Sequence, residues 1–315
     1  MGGLDRRFAG RRYRRARRIH GGRRGVVSVV GTLLALLVFF ALFGIFLTQY
    51  LPLWMNDNES QFTAQTQESA ATLKSNVDFQ VASQSPPVLA TPFTMNSQGV
   101  PVLAQPTTGT LNFVPHLPGV YTNISVSQGP GGGLPFYQNF SLGTLTMSLP
   151  NRYYTPQVFE FENDAVIQSQ SGTQQILLYP PTIQPTVSAG FTNLTMVMVQ
   201  LYGNATQAVA SGSEEVFTHF LYEQNFTSSA TVSPLTVTFA IGTHYRCAWG
   251  TFLQSNLPHY GLALGTGFTL APNLASYCAS SPGIDPQNLV VTFPNITSFT
   301  LVVAGINIVV GVGVE

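Results

Sequence analysis

A mainly β protein is expected, in which an N-terminal transmembrane helix is extended into a stalk helix and followed by an antiparallel β-sandwich exterior. Three observations support this. Ten of the thirteen Lys and Arg residues precede Val26, and the next twenty-six residues, Val26 to Leu51, carry no charge. From Val88 onward the chain breaks into short β-like runs separated by Gly, Pro, Asn and Ser. The boundaries that follow are a basic leader at 1–25, a spanning helix at 26–51, a stalk helix at 52–85 and a β exterior at 86–315, as one large domain or two small ones.

The leader is rich in Arg and Gly, with Phe8, Tyr13 and Ile19 as its sizeable apolar groups, so it cannot fold alone. An Arg-rich arm can grip RNA phosphates, but beside an apolar run its plainer role is to set topology against anionic headgroups. Val26 to Leu51 is longer than the ~15 apolar residues of a secretory h-region and meets the ~20 that a spanning helix needs. Basic flanks stay cytoplasmic. The chain is therefore expected in the cytoplasmic membrane as a single pass, its N-terminus inside and its bulk outside, with membrane lipid as a partner.

Tyr50 and Trp54 stand where interfacial aromatics belong, and Pro52 is expected to kink the helix as it leaves the bilayer. Asn56 to Gln80 lacks Pro and Gly, and Phe62, Leu73, Val77 and Val81 fall on one helical stripe, which gives the stalk. Ser85-Pro86-Pro87 ends it. Leu235, Val237, Phe239 and Ile241 alternate with smaller or polar residues as a strand with one buried face does, whereas Leu194 to Leu201 is almost continuously apolar and belongs centrally. Thr300 to Ala304 and Ile306 to Val310 flank Gly305, with Ile306, Ile308, Val310, Val312 and Val314 on one face, so this end belongs to the core. Gly129-Pro130-Gly131-Gly132-Gly133 reads as a surface loop and not a phosphate cradle, because no Lys-Ser/Thr follows.

Residues 51 to 315 carry twelve Asp and Glu against Lys74, Arg152 and Arg246. An exterior this acidic disfavours nucleic acid and anionic lipid as partners there. Cys247 and Cys278 are expected to form a disulfide in an oxidising compartment. The rival is zinc, since His244-x-x-Cys247 has ligand-like spacing and His259 and Cys278 follow. Sequons begin at Asn58, Asn123, Asn139, Asn193, Asn204, Asn225 and Asn295, all beyond the span, and about half should be reachable by a glycosylating enzyme. Glu160, Glu162 and Asp164 are calcium candidates if they share an exposed loop; otherwise they mark a solvated strand end. No Gly-x-Ser-x-Gly elbow, His-Glu-x-x-His pair or Walker loop occurs, and the five His are scattered. Enzymatic activity and a cofactor are therefore not expected, although sequence leaves open two carboxylates meeting in space for glycoside hydrolysis.

Arg24-Gly25-Val26-Val27-Ser28-Val29-Val30-Gly31, followed by Thr32-Leu33-Leu34-Ala35-Leu36-Leu37-Val38, resembles the start of archaeal type IV pilin-like proteins, whose pattern is close to R-G-V-S-P-V-I-G before an apolar helix. Val27 and Ser28 stand where that pattern has Ser-Pro. The resemblance implies a class III signal peptide cut between Gly25 and Val26 by a prepilin peptidase, after which the helix packs against copies of itself in a filament. It implies a cell-surface protein with a structural or adhesive role. The alternative is an uncleaved, signal-anchored surface enzyme or ligand-binding protein with a β-sandwich exterior.

Overall fold

The computed structural model describes residues 23–84, 87–129, 136–170, 174–188, 191–209, 212–231, 233–274, 278 and 287–311, with backbone alone at 23–28 and 287. It comprises two compact units, Met1–Pro52 and Leu53–Glu315. Most of the basic leader, Ser85-Pro86, Pro130 to Gly133, Val312 and Val314 lie outside the described residues.

In the first unit, α1 (Arg23–Ile45) runs into a single π-helical turn, Phe46–Tyr50. Residues 29–43 are all exposed, including Leu33, Leu37, Phe39 and Leu42. The one helix among the described residues that is long and apolar enough to cross a membrane begins here, at Val29. Phe39, Phe43, Phe46 and Tyr50 stack in succession, ring centroids 5.9, 6.5 and 6.4 Å apart, which is the i, i+4, i+7 ladder a helix allows. Leu51 N–H reaches back to Phe46 O, the bond of the wider turn. Pro52 explains it: the residue has no N–H and its ring crowds the carbonyl four residues earlier, so the turn before it opens.

α2 (Leu51–Ser83) departs from the expected stalk. Phe62, Ala70, Leu73, Val77 and Val81 are buried in a core shared with the β domain, so the helix is a packed layer and not a spacer. The buried residues are those of the apolar stripe, but a stripe alone does not say what covers it. Here the covering surface is the β domain.

Sixteen strands follow among the described residues: β1 (Leu89–Thr94), β2 (Thr110–Val114), β3 (Tyr121–Gln128), β4 (Phe136–Ser141), β5 (Thr144–Leu149), β6 (Gln157–Glu162), β7 (Ala165–Gln170), β8 (Gln174–Tyr179), β9 (Ile183–Ser188), β10 (Phe191–Tyr202), β11 (Thr206–Ala208), β12 (Ser213–Ser229), β13 (Leu235–Thr243), β14 (Thr269–Ala271), β15 (Gln287–Ile296) and β16 (Ser298–Val310). They form three sheets, ordered β1-β12-β16-β10-β9, β11-β2-β5-β6-β7-β8 and β14-β15-β13-β3-β4. The pairing is antiparallel except between β10 and β16, which run parallel. Between β13 and β14 lies α3 (Arg246–Asn256), a helix not anticipated from the β-like pattern around it.

Two hydrophobic cores, not two domains, fill the second unit. On β16, Phe299, Leu301 and Val303 enter the core that holds β13, β15 and α3, whereas Ala304, Ile306 and Ile308 enter the core under α2. The switch from odd to even positions follows from strand geometry, since alternate residues face opposite sides. β10 divides likewise, Leu194 and Met198 to one core and Val199 and Leu201 to the other. Its continuous apolar run is thus a strand covered on both faces, and the C-terminal strand pairs between β12 and β10 at the centre of its sheet. At the changeover stands Gly305, where a Cβ would meet the Tyr222 ring at 2.4 Å.

Candidate functional site

β6 alternates strictly. Phe159 and Phe161 enter the core under α2, so Val158, Glu160 and Glu162 face the other way. Cross-strand register builds two rows on that face: Thr146, Glu160 and Ile167 in one, and Ser148, Val158, Ser169 and Gln175 in the next. The segment entering α3 brings His244 and Tyr245, and these two bound a cavity of about 530 Å³ together with Glu160, Ser148, Val158, Ser169 and Gln175. Leu117, Val158, Pro150 and Pro156 make much of its wall apolar.

Glu160 is 5% exposed and lines that cavity. Its Oε2 accepts from Tyr245 Oη at 2.9 Å and Thr146 Oγ1 at 3.2 Å, while its Oε1 has no hydrogen-bond partner. Glu162, 1% exposed, accepts at Oε1 from Thr243 Oγ1 at 2.5 Å and Trp249 Nε1 at 2.6 Å, and its Oε2 is likewise unpartnered. Burial pushes the Glu160 carboxyl up to about 7, against the hydrogen bonds from Tyr245 and Thr146. Burial, reinforced by the neighbouring Glu160 charge, pushes Glu162 up to about 8. The Tyr245 hydroxyl is driven above its ordinary range by burial and then by Glu160. Such a pair holds its charge weakly near neutrality and accepts a proton, a hydrogen-bond donor or a cation.

The calcium reading of Glu160, Glu162 and Asp164 is overturned. Asn163 and Asp164, with φ of 44° and 64°, form the two-residue reversal between β6 and β7, a conformation that Asn and Asp tolerate. Asp164 is fully buried and turns elsewhere, to Lys74 Nζ at 3.1 Å and the Thr182 N–H at 3.0 Å. Burial pushes its carboxyl up to about 7, with Lys74 opposing the rise. The three carboxyls are therefore neither a solvated strand end nor a cation loop, and no group of three metal-ligating side chains occurs among the described residues.

Two further residues tie α2 to the sheets, and neither stood out in the sequence. Glu59 is fully buried and accepts from Thr107 Oγ1 at 2.5 Å and from the backbone N–H groups of Arg152, Tyr153 and Tyr154 at 2.7 to 3.1 Å. Burial alone would raise its pKa, but these donors hold the carboxylate below its ordinary value. Lys74 bridges Asp78 on its own helix and Asp164 on the β6–β7 turn. A lone Glu in a polar helix gives no sign of a partner 93 residues away, so only the spatial fold reveals the clasp.

Cys247 of α3 is bonded to Cys278, which leaves neither thiolate for zinc and removes the reading that joined them to His244 and His259. Among the sequons, Asn139, Asn193, Asn204, Asn225 and Asn295 are exposed, whereas Asn58 and Asn123 are half-buried and the Asn58 amide donates to Gln98 O at 2.9 Å. Gly25 and Val26 lie within the helical backbone of α1. No protein-family model, curated protein or solved structure matches the chain.

Proposed function

We propose that this is a single-pass, membrane-anchored surface protein of the archaeal type IV pilin-like kind, its leader cytoplasmic and its β domain outside, with a structural or adhesive role. The observation that carries the reading is the contrast between two successive helices. α1 exposes apolar groups all round and α2 buries its apolar side, so α1 is the one that needs lipid or other copies of itself. The Arg-rich flank supplies the orientation, and the Cys247–Cys278 bond suits an oxidising exterior. Prepilin peptidase would cut between Gly25 and Val26.

A second reading, an uncleaved signal-anchored binding protein, is favoured by the cavity over Glu160. N-terminal sequencing and intact mass of the membrane form separate the two. A chain starting at Val26 is the expected result. One that retains Met1 or Gly2 removes the pilin-like reading and leaves the anchored binding protein.

A further inference from the structure

The cavity over Glu160, at about 530 Å³, falls within the ~300–1,000 Å³ typical of small-molecule sites. Most of its wall is apolar, and one acid stands at its inner side. Glu160 has an unpartnered Oε1, Glu162 behind it has an unpartnered Oε2, and neither forms an ion pair among the described residues. Lys74 is held by Asp78 and Asp164. Buried carboxylates without a counter-charge are costly, so a cationic donor entering the cavity gains more here than a neutral one. A carboxylate also turns readily about its last torsion, which lets either Glu160 oxygen meet a guest.

We propose that this cavity is a binding site for small amines that carry an apolar group, the ammonium held by Glu160 and the apolar part lying against Leu117, Pro150 and Val158. An ammonium brings three donors and a full charge. An alcohol of the same shape brings one donor and no charge, so it satisfies the acceptor and leaves the pair uncompensated. Ser148, Ser169 and Gln175 form the polar row beside Val158 and accept whatever polar group the apolar part bears. Tyr245 from the α3 approach and Thr146 from β5 donate to Glu160, and His244 and Gln157 are further polar groups lining the cavity. The site does not depend on whether α1 polymerises.

The test is calorimetric titration of the full chain in phosphatidylcholine nanodiscs with phenethylamine and with phenethyl alcohol, empty nanodiscs serving as the blank. The amine should bind about tenfold or more tighter than the alcohol. Glu160→Gln should bring the two within about twofold by removing the charge while keeping an acceptor. Gln175→Trp, on the edge strand β8, should block both ligands without altering either carboxylate, and it decides the matter if Glu160→Gln fails to fold. Equal affinities in the wild type, no heat from either ligand at millimolar concentration, an amine preference that survives Glu160→Gln, or amine binding undiminished in Gln175→Trp would each overturn the proposal.

Discussion

Glu59 and Glu162 are both buried glutamates, yet their surroundings push them in opposite directions. Burial opposes ionisation in each, but at Glu59 four donors converge on the carboxylate and hold it ionised. At Glu162 the two donors are outweighed by burial and by Glu160. The consequence is a stability optimum between them. An acid whose folded pKa is raised binds more protons folded than unfolded between the two values, so stability falls as pH climbs from 4.5 toward about 7 for Glu160 and about 8 for Glu162. Asp164 acts in the same sense up to about 7. Glu59, with its pKa lowered, contributes stability that is full above 4.5 and is lost only in acid. Thermal melts of the full chain in neutral nanodiscs should therefore show the highest Tm near pH 5 and a decline toward pH 8, the interval set by these values. Glu162→Gln, which keeps an acceptor for Thr243 and Trp249, should flatten that decline; a wild-type Tm that rises from pH 5 to pH 8 would show that the pair is charged throughout.

Among the elements, α2 distinguishes most sharply between a spacer and a structural layer. Leu73 is almost fully buried against the sheet, so Leu73→Ala removes packed methyl groups and should cost about 2–5 kcal/mol, where an exposed spacer position would lose under about 0.5. In melts this is a drop of roughly 5–15 °C for a unit of this size. A shift under about 2 °C would restore the free-standing stalk. Much of this architecture was legible in the sequence. The stripe of Phe62, Leu73, Val77 and Val81 and the alternation of Leu235 to Ile241 are periodic, and periodicity reports which side is buried. The partner of that side is not periodic, so the docking of α2 was invisible. α3 was missed because its Ala248, Trp249 and Leu253 are too few to establish a helical period amid β-like neighbours. At the candidate site, the carboxyl cluster stood out correctly as unusual but was given the wrong chemistry. Asn163-Asp164 between two apolar runs is itself a reversal signal, and reading it so would have placed Glu160 and Glu162 on paired strands instead of a loop. Tyr245 and Trp249, which complete the site, arrive from over 80 residues away.

The whole chain divides its chemistry between its two units. In the first, α1 presents apolar side chains all round from Val29 to Phe43, and the second carries an excess of acids and buries two apolar cores. At ~1.5 Å per residue, Val26 to Leu51 extends about 39 Å, longer than a ~30 Å hydrocarbon core, so lipid can take the helix with some tilt. Assembly asks more of the same surface. Gly31 and Ala35, four residues apart, and Ala41 and Gly44, three apart, leave room for a second backbone, with no atom within 4 Å of a Cβ placed at either glycine. The Phe39, Phe43, Phe46 and Tyr50 ladder offers a stiff aromatic ridge to meet it. Leu36, exposed midway along α1, tests which use the helix serves. Leu36→Arg places an unpaired charge where the neighbouring copies or the bilayer centre would be, at a cost of about 2.5–3.5 kcal/mol in lipid and more in a dry helix bundle. Leu36 is a member of neither hydrophobic core. The variant should remain folded, with Cys247 and Cys278 joined, and should lose sedimentable assemblies while wild-type chains starting at Val26 retain them. Wild-type protein that is cleaved yet sediments only as a monomer would reduce α1 to an anchor and leave lipid as its sole partner.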